Sequence, residues 1–189
     1  MADLKDYSGK FSPELKYDDF SKDFLSRLLV CYARCYIMAD ALWYTSVQEK
    51  FDSEVADEMD SDMWINRFPV SEVREMAKVL DLRGDTVADA MKFFQLAPMF
   101  PQGMFERDIE IINDKHAVIT IRDCPTLRRF ERKEPQRIVP ICQVMEPASA
   151  SAYARQLNPG IVVTMPIMPP RKDPHDICCQ FEFKLNTTL

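Results

Sequence analysis

The apolar periodicity of this chain changes once, and that change constrains its fold more than any other feature. From Phe24 to Leu42, apolar residues recur at spacings of four and three (Phe24, Leu28, Cys31, Cys35, Met38, Leu42), the period of one face of an α-helix. Leu25, Leu29, Tyr32, Tyr36 and Trp43 widen the stripe, so a helix over about residues 21–51 is expected as the spine of an α layer, with Cys31 and Cys35 in its core. Ser12-Pro13-Glu14 has the form of a short helix start in an N-terminal arm. Trp64–Phe68 is a short apolar segment before Pro69. Ser71 then caps a helix carrying Val73, Met76, Ala77 and Leu80, with Gly84 as its left-handed stop. Val87–Ala97 forms the next helix.

Beyond Pro101 the period falls to two. Ile109–Ile112 and Val118–Ile121 are expected as strands joined by a turn at Asn113-Asp114-Lys115. Cys124-Pro125 opens a short basic helix, Val139–Val144 fits strand or helix, Ser149 caps a helix to Leu157, and Ile161–Met165 is a strand. Prolines exclude Met165–Pro174 from any central strand, because proline donates nothing to a ladder. The last strand, Ile177–Leu185, alternates, with Cys179, Phe181 and Phe183 on one face and Cys178, Gln180 and Glu182 on the other. Helices first and an antiparallel sheet later define α+β. The 189 residues suit one domain, its mainly helical part at 1–100 and its sheet-containing part at 101–189.

Charge and thiols narrow the function classes. A net charge of −6 argues against nucleic acid, which needs a basic field. No apolar run reaches the roughly 18–20 residues of a membrane span. Six cysteines without an apolar leader point to a reducing compartment, the cytoplasm. Residues 49–62 are acidic and residues 128–137 basic. They are either two solvated faces, or surfaces that meet within the chain or in a homodimer. Four scattered glycines exclude a phosphate loop, and two distant histidines exclude a His-Glu-x-x-His zinc motif. A four-thiolate zinc site would draw on Cys124, Cys142, Cys178 and Cys179, but their spacing departs from the usual close pairs, so zinc is an alternative rather than the leading expectation.

The segments Cys124-Pro125-Thr126-Leu127, Ile141–Glu146, Tyr153-Ala154, Asn158-Pro159, Pro169-Pro170-Arg171 and Asp176–Phe183, with Trp64-Ile65, resemble a group of uncharacterised cytosolic proteins of anaerobic bacteria and archaea. More distantly they resemble L-2-amino-thiazoline-4-carboxylate hydrolase-like proteins and vinyl-reductase-type small-molecule-binding domains, whose last strand carries a pattern like Cys179-Gln180-Phe181-Glu182-Phe183. The resemblance implies a ligand pocket between helices and sheet. The vinyl-reductase-type zinc ligands have no counterpart in Pro169–Asp176, which holds no cysteine or glutamate.

Three functions follow as expectations. The first is a protein that binds a small, partly apolar, anionic molecule in a pocket involving Arg171, Cys124, Cys142 and Trp64. The second is a hydrolase of a small C–N or cyclic amidine substrate, with Cys179 as nucleophile, Cys124 or His175 as helper and Arg171 as carboxylate anchor. The third is a structural zinc or redox thiol protein.

Overall fold

A computed structural model describes residues 3–186. The strands β1 (Glu106–Asn113), β2 (His116–Asp123), β3 (Ile161–Ile167) and β4 (Cys179–Leu185) form one antiparallel sheet in the order β1-β2-β4-β3. The expected hairpin turns where the Asn113 side chain accepts from the Lys115 amide at 2.9 Å. Period-two alternation gives the sheet two unlike faces. Ala117, Ile119 and Ile121 of β2 are buried beside Phe181 and Phe183 of β4. The outer face carries charge pairs, such as Arg122–Asp108 at 2.6 Å and Lys184–Glu182 at 2.9 Å. Register matches size across the inner face, setting Ala117 opposite Phe183 and Ile119 opposite Phe181.

Helices α4 (Val87–Leu96) and α6 (Glu146–Leu157) lie on that inner face. Phe94 meets Phe183 with ring centroids 5.1 Å apart, and Tyr153 meets Phe93 at 5.4 Å. Truncating a buried Phe such as Phe183 to Ala costs about 3–5 kcal/mol. The Tyr153 hydroxyl donates to Glu72 at 2.5 Å, tying α6 to α3 (Phe68–Leu80). The long spine α1 (Lys22–Lys50) is capped by Ser21, whose side chain accepts from the Phe24 amide. It packs on α2 (Ser53–Asp62), capped in turn by Asp52.

The helices differ from expectation in five places. Residues 53–80 run as one helix through α2, a π-helical turn Met63–Arg67 and α3, so Ser71 lies inside it and caps nothing. Residues 138–157 likewise run from a π-helical segment, Ile138–Met145, into α6, with Ser149 buried mid-helix. The prolines supply the cause. Pro69, Pro140 and Pro147 lack an amide donor and clash with the carbonyl four residues back, and a widened π turn absorbs both defects without ending the helix. Phe68 and Glu146 accordingly donate five residues back, to Met63 and Ile141. Helix α3 ends at left-handed Asp81 rather than at Gly84. Gly84, at φ +78°, allows close contact with α6, because a Cβ there would overlap the Leu157 carbonyl. Ser12-Pro13 starts no helix; among residues 3–20 a 3-10 turn, Tyr17–Asp19, is the one helical element, and Leu4 bridges to Phe20.

The fifth difference concerns α1. Its 4-3 stripe faces outward, with Cys31 and Cys35 exposed rather than in the core. Its inner face is instead Ala33, Tyr36, Ile37, Asp40 and Tyr44. No described helix is long and apolar enough to cross a membrane.

Candidate functional site: a cavity with an acid end

A cavity of about 330 Å³ opens between α1, the two π-helical turns, helix α5 (Pro125–Lys133), the Ala97–Phe105 loop and the inner face of the sheet. Most of its wall is apolar: Met99, Phe100 and Met104 from the loop, Ile141 and Met145 from the second π segment, Met165 and Phe181 from the sheet. The loop is held in place by Arg107, which donates to the Phe100 and Gln95 carbonyls at 2.6 and 2.7 Å.

The polar groups gather at two ends. Asp40 of α1, Asp60 of α2 and Glu146 at the start of α6 line the cavity with Tyr36, Tyr44, Trp64 and Arg137. The Trp64 indole donates to Asp40 at 3.1 Å, and the Tyr44 hydroxyl donates to Asp57 at 2.7 Å. Asp60 is only 4% exposed, and its Oδ1 has no hydrogen-bond partner. Burial, reinforced by Asp40, pushes the Asp60 carboxyl up to about 7 against the pull of Arg137. Burial and the charges of Asp60 and Asp40 push Glu146 up to about 7 as well. Burial also raises Asp40, partly offset by its bond from Trp64. Desolvation outweighs the counter-charge here because Arg137 is shared: its guanidinium stacks on Tyr44 at 3.7 Å and on Phe130 at 4.9 Å, and bonds Glu134 at 3.4 Å. Arg137 is also where the basic and acidic segments meet; Arg128 and Arg129 pair with Asp123 and Glu134 instead.

The thiols form the other end. Cys124, Cys142, Cys178 and Cys179 all line the cavity, as does Trp64. Cys124 caps α5, its sulfur accepting from the Leu127 amide at 3.3 Å. Burial pushes its thiol up to about 12 and raises those of Cys142, Cys178 and Cys179. Strand alternation assigned Cys178 to the polar face, yet it is buried. It precedes β4, is almost fully buried, and its thiol donates to the Arg122 carbonyl at 3.3 Å. Arg171 does not line the cavity. Its guanidinium grips both oxygens of Glu131 at 2.9 and 2.5 Å and donates to the Pro174 carbonyl at 2.8 Å, so it fastens that loop to α5. His175 is exposed on the same loop, away from Cys179. Among the described residues, no three His, Cys, Asp or Glu side chains are grouped as a metal site.

The arrangement therefore brings Trp64, Cys124, Cys142 and Cys179 to one cavity and leaves out Arg171 and His175. Sequence reasoning missed Asp40, Asp60, Glu146 and Arg137. The available signal was Asp40: a lone acid four residues from Tyr36 and from Tyr44, on the face of α1 opposite the stripe.

The chain belongs to a family of unknown function, DUF6125, whose model matches residues 18–185. No curated protein and no solved structure matches it.

Proposed function

We propose that this member of a family of unknown function binds a small organic molecule in the cavity between α1, the π-helical turns and the sheet. The cavity itself carries the reading. Interiors pack to crystal density, so a concave, mostly apolar hollow left between packed elements stands apart from the core around it. Apolar walls, a few convergent polar groups and a volume near 330 Å³ are the attributes of a ligand site. Cys124, Cys142 and Trp64 belong to its lining. The likeness of Cys179–Phe183 to vinyl-reductase-type domains agrees with it, and six free thiols favour a cytoplasmic setting.

The test is to fill the space. Cys142→Phe should leave the protein folded and abolish the rise in melting temperature that a cavity ligand such as benzyl alcohol produces in the parent. Equal rises in both proteins would remove the cavity from consideration.

The hydrolase reading has weaker support. A thiol attacks as thiolate and needs a base or a positive field. Burial raises Cys179, Cys124 is occupied as a helix cap, and Arg171 is committed to Glu131.

The outer face of α1 supports pairing with a second copy of the chain. Leu29, Tyr32, Met38 and Leu42 are each more than half exposed, beside exposed Cys31 and Cys35. A helix apolar on both faces is a buried helix, and a 4-3 repeat is the pattern of helix–helix seams. An antiparallel pair sets Cys35 against the second copy's Met38 and Cys31 against its Leu42. Tyr32 then falls beside Ala39 and Arg34 beside Ala41, large against small. Lys22, Arg27 and Arg34 lie toward the acidic end of the other helix, with Glu49, Asp52 and Glu54. Sedimentation should give a dimer that Met38→Glu dissociates. In Met38→Cys the introduced thiol should oxidise to an interchain disulfide with Cys35 of the second copy. A monomeric parent, or crosslinking through Cys35–Cys35 alone, would refute this pairing.

A further inference from the structure

We propose that the ligand of this cavity is a monocation, an ammonium or amidinium head seated among Asp40, Asp60 and Glu146, with its apolar body along the methionine-lined wall. The inference rests on the small-molecule reading above and narrows it to one chemical class.

The observations concern unmet acceptors. Ionised carboxylates only accept hydrogen bonds, and a buried acceptor left unpaired costs about 1–3 kcal/mol, more when charged. Asp60 Oδ1 is buried and unpartnered. Glu146 lines the cavity partly buried, and no hydrogen bond relieves the desolvation that raises its carboxyl. Asp40 has the Trp64 indole as its donor. Three carboxyls thus share the cavity with two guanidiniums, and both are already committed, Arg129 to Glu134 and Arg137 to Glu134 and two aromatic faces. An anion would be repelled. A neutral apolar guest would leave Asp60 and Glu146 as they are. A head with two or three N–H donors and one positive charge answers both. Tyr36 and Trp64 also line this end, with centroids 6.1 Å apart at 81°, and aromatic rings favour a desolvated cation.

The charge state follows from what surrounds the head. From α1 come Tyr36, Asp40 and Tyr44; from α2, Asp57 and Asp60; from the second π segment and its flank, Arg137, Cys142 and Glu146; from α5 and its cap, Arg129 and Cys124; from β4 and just before it, Cys179 and Cys178. Of these, Asp60 and Glu146 change charge near neutrality, the thiols and phenols being raised beyond it. A bound cation holds both carboxyls ionised, so binding releases protons and tightens as pH rises from about 6 to about 8.

Benzylammonium and benzyl alcohol, which share one shape and differ in charge, are the probes. Calorimetry in two buffers of unlike ionisation enthalpy reads affinity and proton release together. At pH 8 the wild-type protein should bind benzylammonium at least about tenfold more tightly than benzyl alcohol, with proton release, and the gap should narrow at pH 6. Glu146→Gln, or Asp60→Asn if the first variant does not fold, should bring benzylammonium down toward the alcohol. Equal affinities at pH 8 without proton release would overturn the cation inference and leave the cavity reading standing. If neither probe binds the wild type, and Cys142→Phe changes nothing, both fall.

Discussion

Replacing Glu146 with glutamine measures what the buried acid end costs the fold. Glu146 sits partly buried at the start of α6, where desolvation and the neighbouring Asp60 and Asp40 carboxylates push its carboxyl from an ordinary 4.5 to about 7. In the unfolded chain the ordinary value returns. Below the lower value both states hold the proton, and the group costs nothing. Between the two values the unfolded state has released its proton and the folded state has not, so stability falls as pH rises. Above the upper value the loss is complete, about 3 kcal/mol at 1.36 kcal/mol per pH unit. Glutamine keeps the shape and never ionises. The variant should therefore match the wild type near pH 4, apart from a constant offset for the new amide. Near pH 8.5 it should gain about 3 kcal/mol over that offset, a rise of roughly 6–12 °C in melting temperature at about 2–4 °C per kcal/mol. Urea unfolding followed by the fluorescence of Trp43 and Trp64 across that range reads the difference directly. A difference that does not change with pH, or that grows toward acid, would refute the argument. Asp60→Asn should behave alike, and the double variant should gain less than the sum, because the Asp60 charge is one of those that raise Glu146.

Iodoacetamide at pH 7.5 should spare Cys124, Cys142, Cys178 and Cys179 in the native protein until urea is added, and should label Cys31 and Cys35 once Met38→Glu has opened the α1 seam, as peptide mass mapping will show; rapid native labelling of Cys179 would restore the nucleophile reading. Gly84→Ala should cost about 3 kcal/mol or more, since φ is +78° and the added Cβ meets the Leu157 carbonyl; a loss below about 1 kcal/mol in denaturant unfolding would contradict that contact. Tyr153→Phe should cost about 2 kcal/mol, because Glu72 Oε1 already lacks a partner and Oε2 would lose its donor; an unchanged unfolding midpoint would contradict it. Arg171→Ala should speed proteolysis within 168–178 without weakening a cavity ligand, since Arg171 holds the loop and lies outside the lining.

The period change near residue 101 was enough to read the architecture, because strand alternation and helical repeats both record burial on one side. The hairpin at Asn113-Asp114-Lys115 and the last strand were legible for that reason. The two long composite helices were not. Pro69, Pro140 and Pro147 normally end helices, and only tertiary packing determines that a π turn absorbs them. Helix α1 shows a deeper limit. Its 4-3 stripe is real, yet periodicity says that a face is apolar and not which neighbour covers it. The chain's own body takes the opposite face, through Ala33, Tyr36 and Tyr44.

That same ambiguity hid the acid end. Each of its groups stands alone in its own segment: Asp40 interrupts an apolar helix, Asp60 is one of seven acids in residues 49–62, and Glu146 follows a proline-bearing apolar run. No spacing motif links them, because the links are spatial. The π turn before Pro69 carries Trp64 to the cavity beside Asp60, and the one before Pro147 opens directly onto Glu146. Alternation, by contrast, drew attention to Cys179, whose surroundings suppress the reactivity that would make a thiol a site. Carboxyls raised toward neutrality by burial lower stability at physiological pH. Three of them around one void amount to a cost that packing alone would have removed with an apolar side chain. A fold that keeps such a cost at a cavity wall is set up to recover it when a complementary charge arrives.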